Sequence, residues 1–234
     1  MATPALRIEN LHAWYGESHV LHGVDLTVGA GEVVALLGRN GAGRTTTLKA
    51  ILGLAGRTEG SIRVGETEVR GGETHVIARL GVGYCPEERA IFSSLSTEEN
   101  LLLPPTIAGD GLSLAEIYRM FPNLEERRAS RGTSLSGGEQ QMLAMARILR
   151  TGARLLLLDE ITEGLAPLIV KHLKAVIRDL KARGFTILLV EQNFRFAASL
   201  ADRHCVMEGG RIVATVSAAE LEARTDMLSA YLGV

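Results

Sequence analysis

Three turns in this chain bring together residue types that handle phosphate. Gly38-Arg39-Asn40-Gly41-Ala42-Gly43-Arg44-Thr45, followed by Thr46, has the spacing of a Walker A phosphate-binding loop, with one departure. Its glycines let backbone N–H groups converge on an anion, and a helix beginning near Thr45 turns its positive end toward the same point. The Thr45 hydroxyl is placed to meet Mg²⁺. The departure is Arg44, where the pattern carries lysine. A guanidinium is a wide planar fork and an ammonium a compact point charge, so the two do not substitute freely. An arginine that reaches the phosphates keeps the charge there; one that falls short loses charge-assisted hydrogen bonds of about 1.5–3 kcal/mol.

The second turn is Asp159-Glu160, at the end of the apolar run Leu155–Leu158. This is a Walker B arrangement, with Asp159 holding the Mg²⁺ shell and Glu160 orienting and polarising an attacking water. Two acids at a strand end are common on their own, and the glycine-rich loop is what gives this pair its meaning. The third turn, Glu191-Gln192, ends Thr186–Val190.

The elements that must position these turns are legible in the apolar pattern. Glu32–Leu37, Leu155–Leu158 and Thr186–Val190 read as strands of a parallel sheet covered on both faces. Helical patterns separate them at Thr45 to Leu54, Gly138 to Arg150 and Pro167 to Ala182. Such alternation predicts an α/β fold with ligand beyond the carboxyl ends of the strands, where all three turns lie. Ahead of this core, Leu6–Ile8, Val20–Val24 and Leu26–Val28 are short strand candidates. Ser61–Val64 and Glu68–Arg70 around Gly65 read as a hairpin, and together these segments predict a small antiparallel sheet. Residues from about 96 to 151 read as a mostly helical sub-lobe divided by Pro104, Pro105 and Pro122. The expectation is a single domain over 1–234, with core and antiparallel lobe in about 1–95 and 152–234.

Composition narrows the function. With 27 acidic against 25 basic residues the formal charge is -2, so no general attraction to nucleic acid is expected. Cys85 and Cys205 are too few for a disulfide framework or a zinc ligand set and read as small core hydrophobes. Met1 to Asn10 lacks the charge-then-apolar pattern of a secretory signal, and the apolar runs fall far short of the roughly 20 residues a membrane span needs. A cytoplasmic protein that meets a membrane only through partners is therefore expected.

Leu135-Ser136-Gly137-Gly138-Glu139-Gln140-Gln141 opens an apolar-periodic helix, and its serine and two glycines leave N–H groups suited to an anion. With this segment the chain resembles the nucleotide-binding domains of ABC transporters over essentially its whole length. The resemblance implies a P-loop core of RecA-like type with antiparallel β and helical subdomains, and ATP with Mg²⁺ as ligands. It also implies head-to-tail pairing with a second ATPase subunit, whose nucleotide would be met by Leu135, Ser136, Gly137, Gly138 and Glu139. Tyr15 falls where the family stacks an aromatic on adenine, Glu87 where most members carry a glutamine near Mg²⁺, and Gln192 where a histidine usually contacts the γ-phosphate. Glutamine still donates a hydrogen bond there but cannot become cationic.

Pro86-Glu87, Phe121-Pro122 with Glu126-Arg127-Arg128, Gly137–Ala146, Glu163-Gly164-Leu165-Ala166-Pro167 and Val190-Glu191-Gln192-Asn193 resemble the ATP-binding subunits of branched-chain amino acid importers, the LivF type. Arg44 and Ile161 depart from that branch. The branch implies a cytoplasmic-face location at the inner membrane, integral permease subunits, a heterodimeric ATPase pair and, indirectly, a periplasmic binding protein. By the same resemblance Glu87 to Leu103 receives a short permease helix, with Ile91 and Phe92 readable either as contacts or as core. Three other readings stay open: import of another solute such as urea, amides or other amino acids; a nucleotide-binding subunit that hydrolyses poorly; and a non-transport ABC ATPase.

Overall fold

The computed structural model describes residues 3–107, 109, 111–224, 227, 228 and 231. Its centre is a six-stranded sheet. In chain order these strands are β3 (Val33–Gly38), β6 (Val82–Cys85), β7 (Leu155–Asp159), β8 (Thr186–Glu191), β9 (Arg203–Glu208) and β10 (Arg211–Ser217), after β1 (Leu6–Tyr15) and β2 (Ser18–Val28) and with β4 (Arg57–Val64) and β5 (Thr67–Glu68) between. The spatial order is β10-β9-β3-β8-β7-β6. Only β10 runs antiparallel to its neighbour, and the other pairings are parallel.

Why these segments form a central sheet follows from their burial. Every residue of β3, β7 and β8 is buried. Alternate side chains enter two different cores, as the period of a strand requires. Val33, Ala35, Leu37, Leu156, Leu158, Ile187 and Leu189 pack on one side with the helices. Val34, Leu36, Leu155, Leu157, Leu188 and Val190 pack on the other, against the antiparallel strands. Truncating any one of these leucines to alanine is worth about 2–5 kcal/mol of stability. Cys85 and Cys205 are buried in these cores as free thiols, as composition led us to expect.

The second sheet is antiparallel, in order β2-β1-β4-β5. It is more continuous than the sequence suggested: Val20–Val24 and Leu26–Val28 belong to one strand, and Leu6–Ile8 extends to Tyr15. Register shifts in the β1–β2 pair between Ile8 and Leu11 absorb the break in pattern, and Asp25 accepts from the Asn10 N–H there. Hairpin β4–β5 turns near Gly65 as expected, although its second strand ends at Glu68.

The helices are α1 (Arg44–Ile51), α2 (Thr74–Arg79), α3 (Thr97–Leu102), α4 (Leu114–Met120), α5 (Pro122–Glu126), α6 (Gly137–Arg150), α7 (Pro167–Ala182) and α8 (Phe194–Ala198). The first ends three residues short of the expected Leu54, because Gly53 turns left-handed at φ 69°, where a Cβ would lie 2.0 Å from the Gly72 carbonyl oxygen. Helices α3, α4 and α6 each begin with a reciprocal serine–glutamate capping box, whereas α7 opens on Pro167. Among the described residues no helix is long and apolar enough to cross a membrane.

Candidate functional site

Two glycines of the loop between β3 and α1 sit where a side chain would not fit. A Cβ on Gly38 would lie 2.4 Å from the Met207 carbonyl, and one on Gly43, which sits at φ 108°, would lie 2.8 Å from Leu21. Gly43 caps α1 with no side-chain hydrogen bond, so the first-turn N–H groups are left to an incoming anion. Asn40, Gly41, Ala42, Gly43, Thr45 and Thr46 line a cleft of about 310 Å³ together with Arg44. Gly38 and Arg39 shape the turn from outside this lining.

The far wall comes from β7 and β8. Thr45 Oγ1 donates to Asp159 Oδ1 at 3.2 Å, and Tyr84 Oη donates to Asp159 Oδ2 at 3.2 Å. Asp159 is fully buried, and burial first of all pushes its carboxyl up to about 6, with the two hydroxyl contacts opposing that shift. Among the described residues its side-chain partners are neutral hydroxyls. A buried carboxylate and a threonine hydroxyl at the mouth of a phosphate-shaped turn are the hard oxygen donors that suit Mg²⁺.

Glu160 follows at φ 46°, a left-handed conformation unusual outside glycine. Both of its carboxylate oxygens are occupied. Arg44 Nη2 donates to Oε1 at 2.7 Å, and Gln192 Nε2 donates to Oε2 at 2.8 Å. Arg44 therefore reaches across the cleft to the acidic wall. Glu87 and Glu163 complete that wall, their carboxylates gathering with that of Glu160 within 4.8 Å of one another. The Glu163 carboxyl is raised, first through its hydrogen bond with Glu160 and then by burial. Glu191, one residue before Gln192, is buried against Thr162, which donates through both its N–H and Oγ1. Burial pushes Glu191 up to about 7.

Most of the residues singled out from sequence thus converge on one cleft, while two groups stand apart from it. Tyr15 is 42% exposed at the tip of the β1–β2 hairpin and does not line the cleft, whereas Val20 of the same hairpin does. Leu135, Ser136, Gly137, Gly138 and Glu139 lie elsewhere, at the start of α6. There Ser136 accepts from the Glu139 N–H, and Ser136 and Glu139 border a separate, largely apolar cleft with Leu168 and Ile169. Gly138 has no room for a side chain: a Cβ would meet Ile169 at 2.9 Å.

Three participants escaped the sequence reading: Val20, Tyr84 and Glu163. The signal for Tyr84 was its place in β6, which runs in register beside β7 with Tyr84 opposite Leu157. Of the two apolar candidates near Glu87, Ile91 packs against the core and Phe92 is exposed, with the Arg147 guanidinium 4.9 Å from its ring centroid.

A phosphate-binding turn, an acid pair at a parallel-strand end and a serine-glycine-glycine helix start define an ATP-hydrolysing cassette. The model of the ABC transporter family matches residues 21–163, and the chain belongs to that family. It is an ATP-binding, ATP-hydrolysing subunit, and such domains work as dimers with membrane permease partners. It is 39% identical over 231 residues to the high-affinity branched-chain amino acid transport ATP-binding protein BraG of Pseudomonas aeruginosa, covering 97% of this chain and 99% of that protein. It is 35% identical over 240 residues to the lipopolysaccharide export system ATP-binding protein LptB of Escherichia coli, covering 100% and 98%. Among solved structures, an ATP-binding subunit of an ABC transporter superposes with a TM-score of 0.81 at 30% identity, over 98% of this chain and 100% of that one. A nucleotide-free ATP-binding cassette gives 0.83 at 22% identity, over 99% of each chain.

Proposed function

We propose that this chain is the ATPase subunit of an importer of branched-chain amino acids, bound peripherally at the cytoplasmic face of the inner membrane. The full-length similarity to BraG, a branched-chain amino acid transport ATP-binding protein, supports the solute. The convergence of Arg44, Thr45, Glu160 and Gln192 on one cleft, with Asp159 buried behind Thr45, supports the chemistry and is the observation that carries it. We take residues 1–234 as one ATPase domain, with about 96–151 as its signature-bearing sub-lobe.

In this reading the N–H groups of the 38–46 turn cradle the β- and γ-phosphates of ATP, and Arg44 adds a fixed cation. Thr45 and Asp159, with Glu87 at the rim, would hold Mg²⁺, which neutralises phosphate charge when bound. Tyr15 covers the adenine from the hairpin tip. Glu160 orients a water for in-line attack on the γ-phosphorus. The water oxygen bonds to phosphorus, the bond to the ADP oxygen breaks, and the water proton passes toward Glu160. Gln192 holds the second oxygen of Glu160. Little else is asked of the protein than position and charge.

In this reading Leu135–Glu139, which lies away from this chain's own cleft, meets the nucleotide of a second ATPase subunit in a head-to-tail heterodimer. Phe92, 46% exposed, and Leu102 and Leu103, each 50% exposed, offer an apolar surface to a permease helix. A periplasmic binding protein delivers solute to the permease. The similarity to LptB favours a second reading, an ATPase of lipopolysaccharide export.

Uptake of labelled leucine, isoleucine and valine into cells lacking this chain, with and without its return, tests the proposal. Restored uptake supports import. Unchanged uptake with impaired lipopolysaccharide delivery transfers the assignment to export.

A further inference from the structure

We propose that Arg44 is a positioning residue for Glu160 as well as a phosphate-facing cation. This deepens the hydrolytic reading of the cleft and rests on it. Arg44 stands where the loop pattern calls for lysine, and its side chain is only 4% exposed. Its Nη2 donates to Glu160 Oε1 at 2.7 Å and also contacts Asn40 Oδ1 at 3.3 Å. Its Nη1 is buried without a hydrogen-bond partner among the described residues.

The need for a second holder is visible at Glu160 itself. Its backbone turns at φ 46° directly after β7, and its carboxylate shares the wall with those of Glu87 and Glu163. Like charges at that separation push one another toward other rotamers. Gln192 fixes Oε2 but brings no charge. Arg44 supplies both the second hydrogen bond and the opposing cation, and it does so from the loop that holds the phosphates.

The difference from lysine is geometric. A guanidinium carries its donors on separate nitrogens in a rigid fork, so one nitrogen can keep Glu160 while N–H groups on the others turn to a phosphate oxygen. An ammonium gathers three donors on one atom, so its contacts to the base and to the phosphate compete. Arginine therefore ties the water-orienting carboxylate to the phosphate grip within one planar group. In this chain it is part of the hydrolytic geometry, not a weakened lysine.

The test is steady-state kinetics and ATP binding of the assembled ATPase pair carrying R44K, E160Q or both in this chain. With R44K we expect kcat at this site to fall by about tenfold or more while KM and the ATP dissociation constant stay within about threefold, the pattern of a lost transition-state interaction. In the E160Q background the same change should alter the residual rate by less than about twofold, since the residue being positioned is already disabled. A kcat equal to or above that of the native chain overturns the proposal. So does an equal loss in both backgrounds, or a large loss of ATP affinity, which would make Arg44 a phosphate ligand alone. If the native chain itself binds no ATP at this cleft, the failure lies with the ATPase site and not with Arg44.

Discussion

Thr45 and Asp159 lie 114 positions apart in sequence, yet the hydroxyl of one donates to the carboxylate of the other across 3.2 Å. The sheet brings this about, because β8 lies between β3 and β7 and aligns their carboxyl ends. Asp159 is buried, and among the described residues its side-chain partners are neutral hydroxyls, so in the proposed site a bound cation would be what favours its charged form.

Replacing Asp159 with asparagine should therefore spare the fold and remove metal-dependent turnover. We expect ATP hydrolysis to fall by about 10² to 10³. The Mg²⁺ concentration needed for half-maximal activity should rise at least severalfold. A Mg²⁺ titration of activity checks this, and an unshifted curve removes Asp159 from the metal shell.

Glu191 gives a stability prediction with a definite sign. Its folded carboxyl is raised to about 7, chiefly by burial, against an ordinary 4.5. The native state binds this proton more tightly than the unfolded chain, so this group's contribution to stability falls as pH climbs from about 4.5 through 7 and stays low above that. Glu191→Gln abolishes the titration. The variant should gain on the order of 2 kcal/mol relative to the native chain between pH 5 and pH 8. Urea unfolding at the two pH values reads the difference directly, and a pH-independent gap would contradict it.

Ser136 is the N-cap of α6 and accepts from the Glu139 N–H. Serine to alanine should cost about 1 kcal/mol of stability. ATP affinity of the isolated chain should stay within about twofold, while turnover in the assembled pair falls by about tenfold or more. An isolated chain whose own ATP affinity collapses would place this motif in its own cleft.

Phe92 offers the cleanest test of docking. Its ring is 46% exposed and lies under Arg147, whose Nη1 also donates to the Ala90 carbonyl. Phe92→Ala should change stability by no more than about 1 kcal/mol, since little buried surface is lost. Permease association, followed by co-purification from detergent, should weaken about tenfold or more. Unweakened association would move the contact elsewhere.

Much of this arrangement was legible in the sequence because its signals are local. Continuous apolar runs marked β3, β7 and β8, and the glycine spacing marked the turn before α1. The antiparallel sheet was read in fragments because the shift between Ile8 and Leu11 breaks the alternation that identifies a strand. Tyr84, Val20 and Glu163 were missed because tertiary pairing brings them to the cleft. A tyrosine inside a buried strand carries no local mark of facing an acid 75 residues away. The reach of Arg44 was likewise undecided until Glu160 proved to be its partner.

The central claim is that the 38–46 turn grips ATP, that Glu160 turns it over, and that a second subunit closes the site. Light scattering of the Glu160→Gln chain with its partner ATPase, on adding ATP and Mg²⁺, tests it most directly. The account predicts a stable pair that forms with ATP, retains it and does not form with ADP. A mixture that stays as separate subunits, or one that consumes ATP at the native rate despite the substitution, would contradict it.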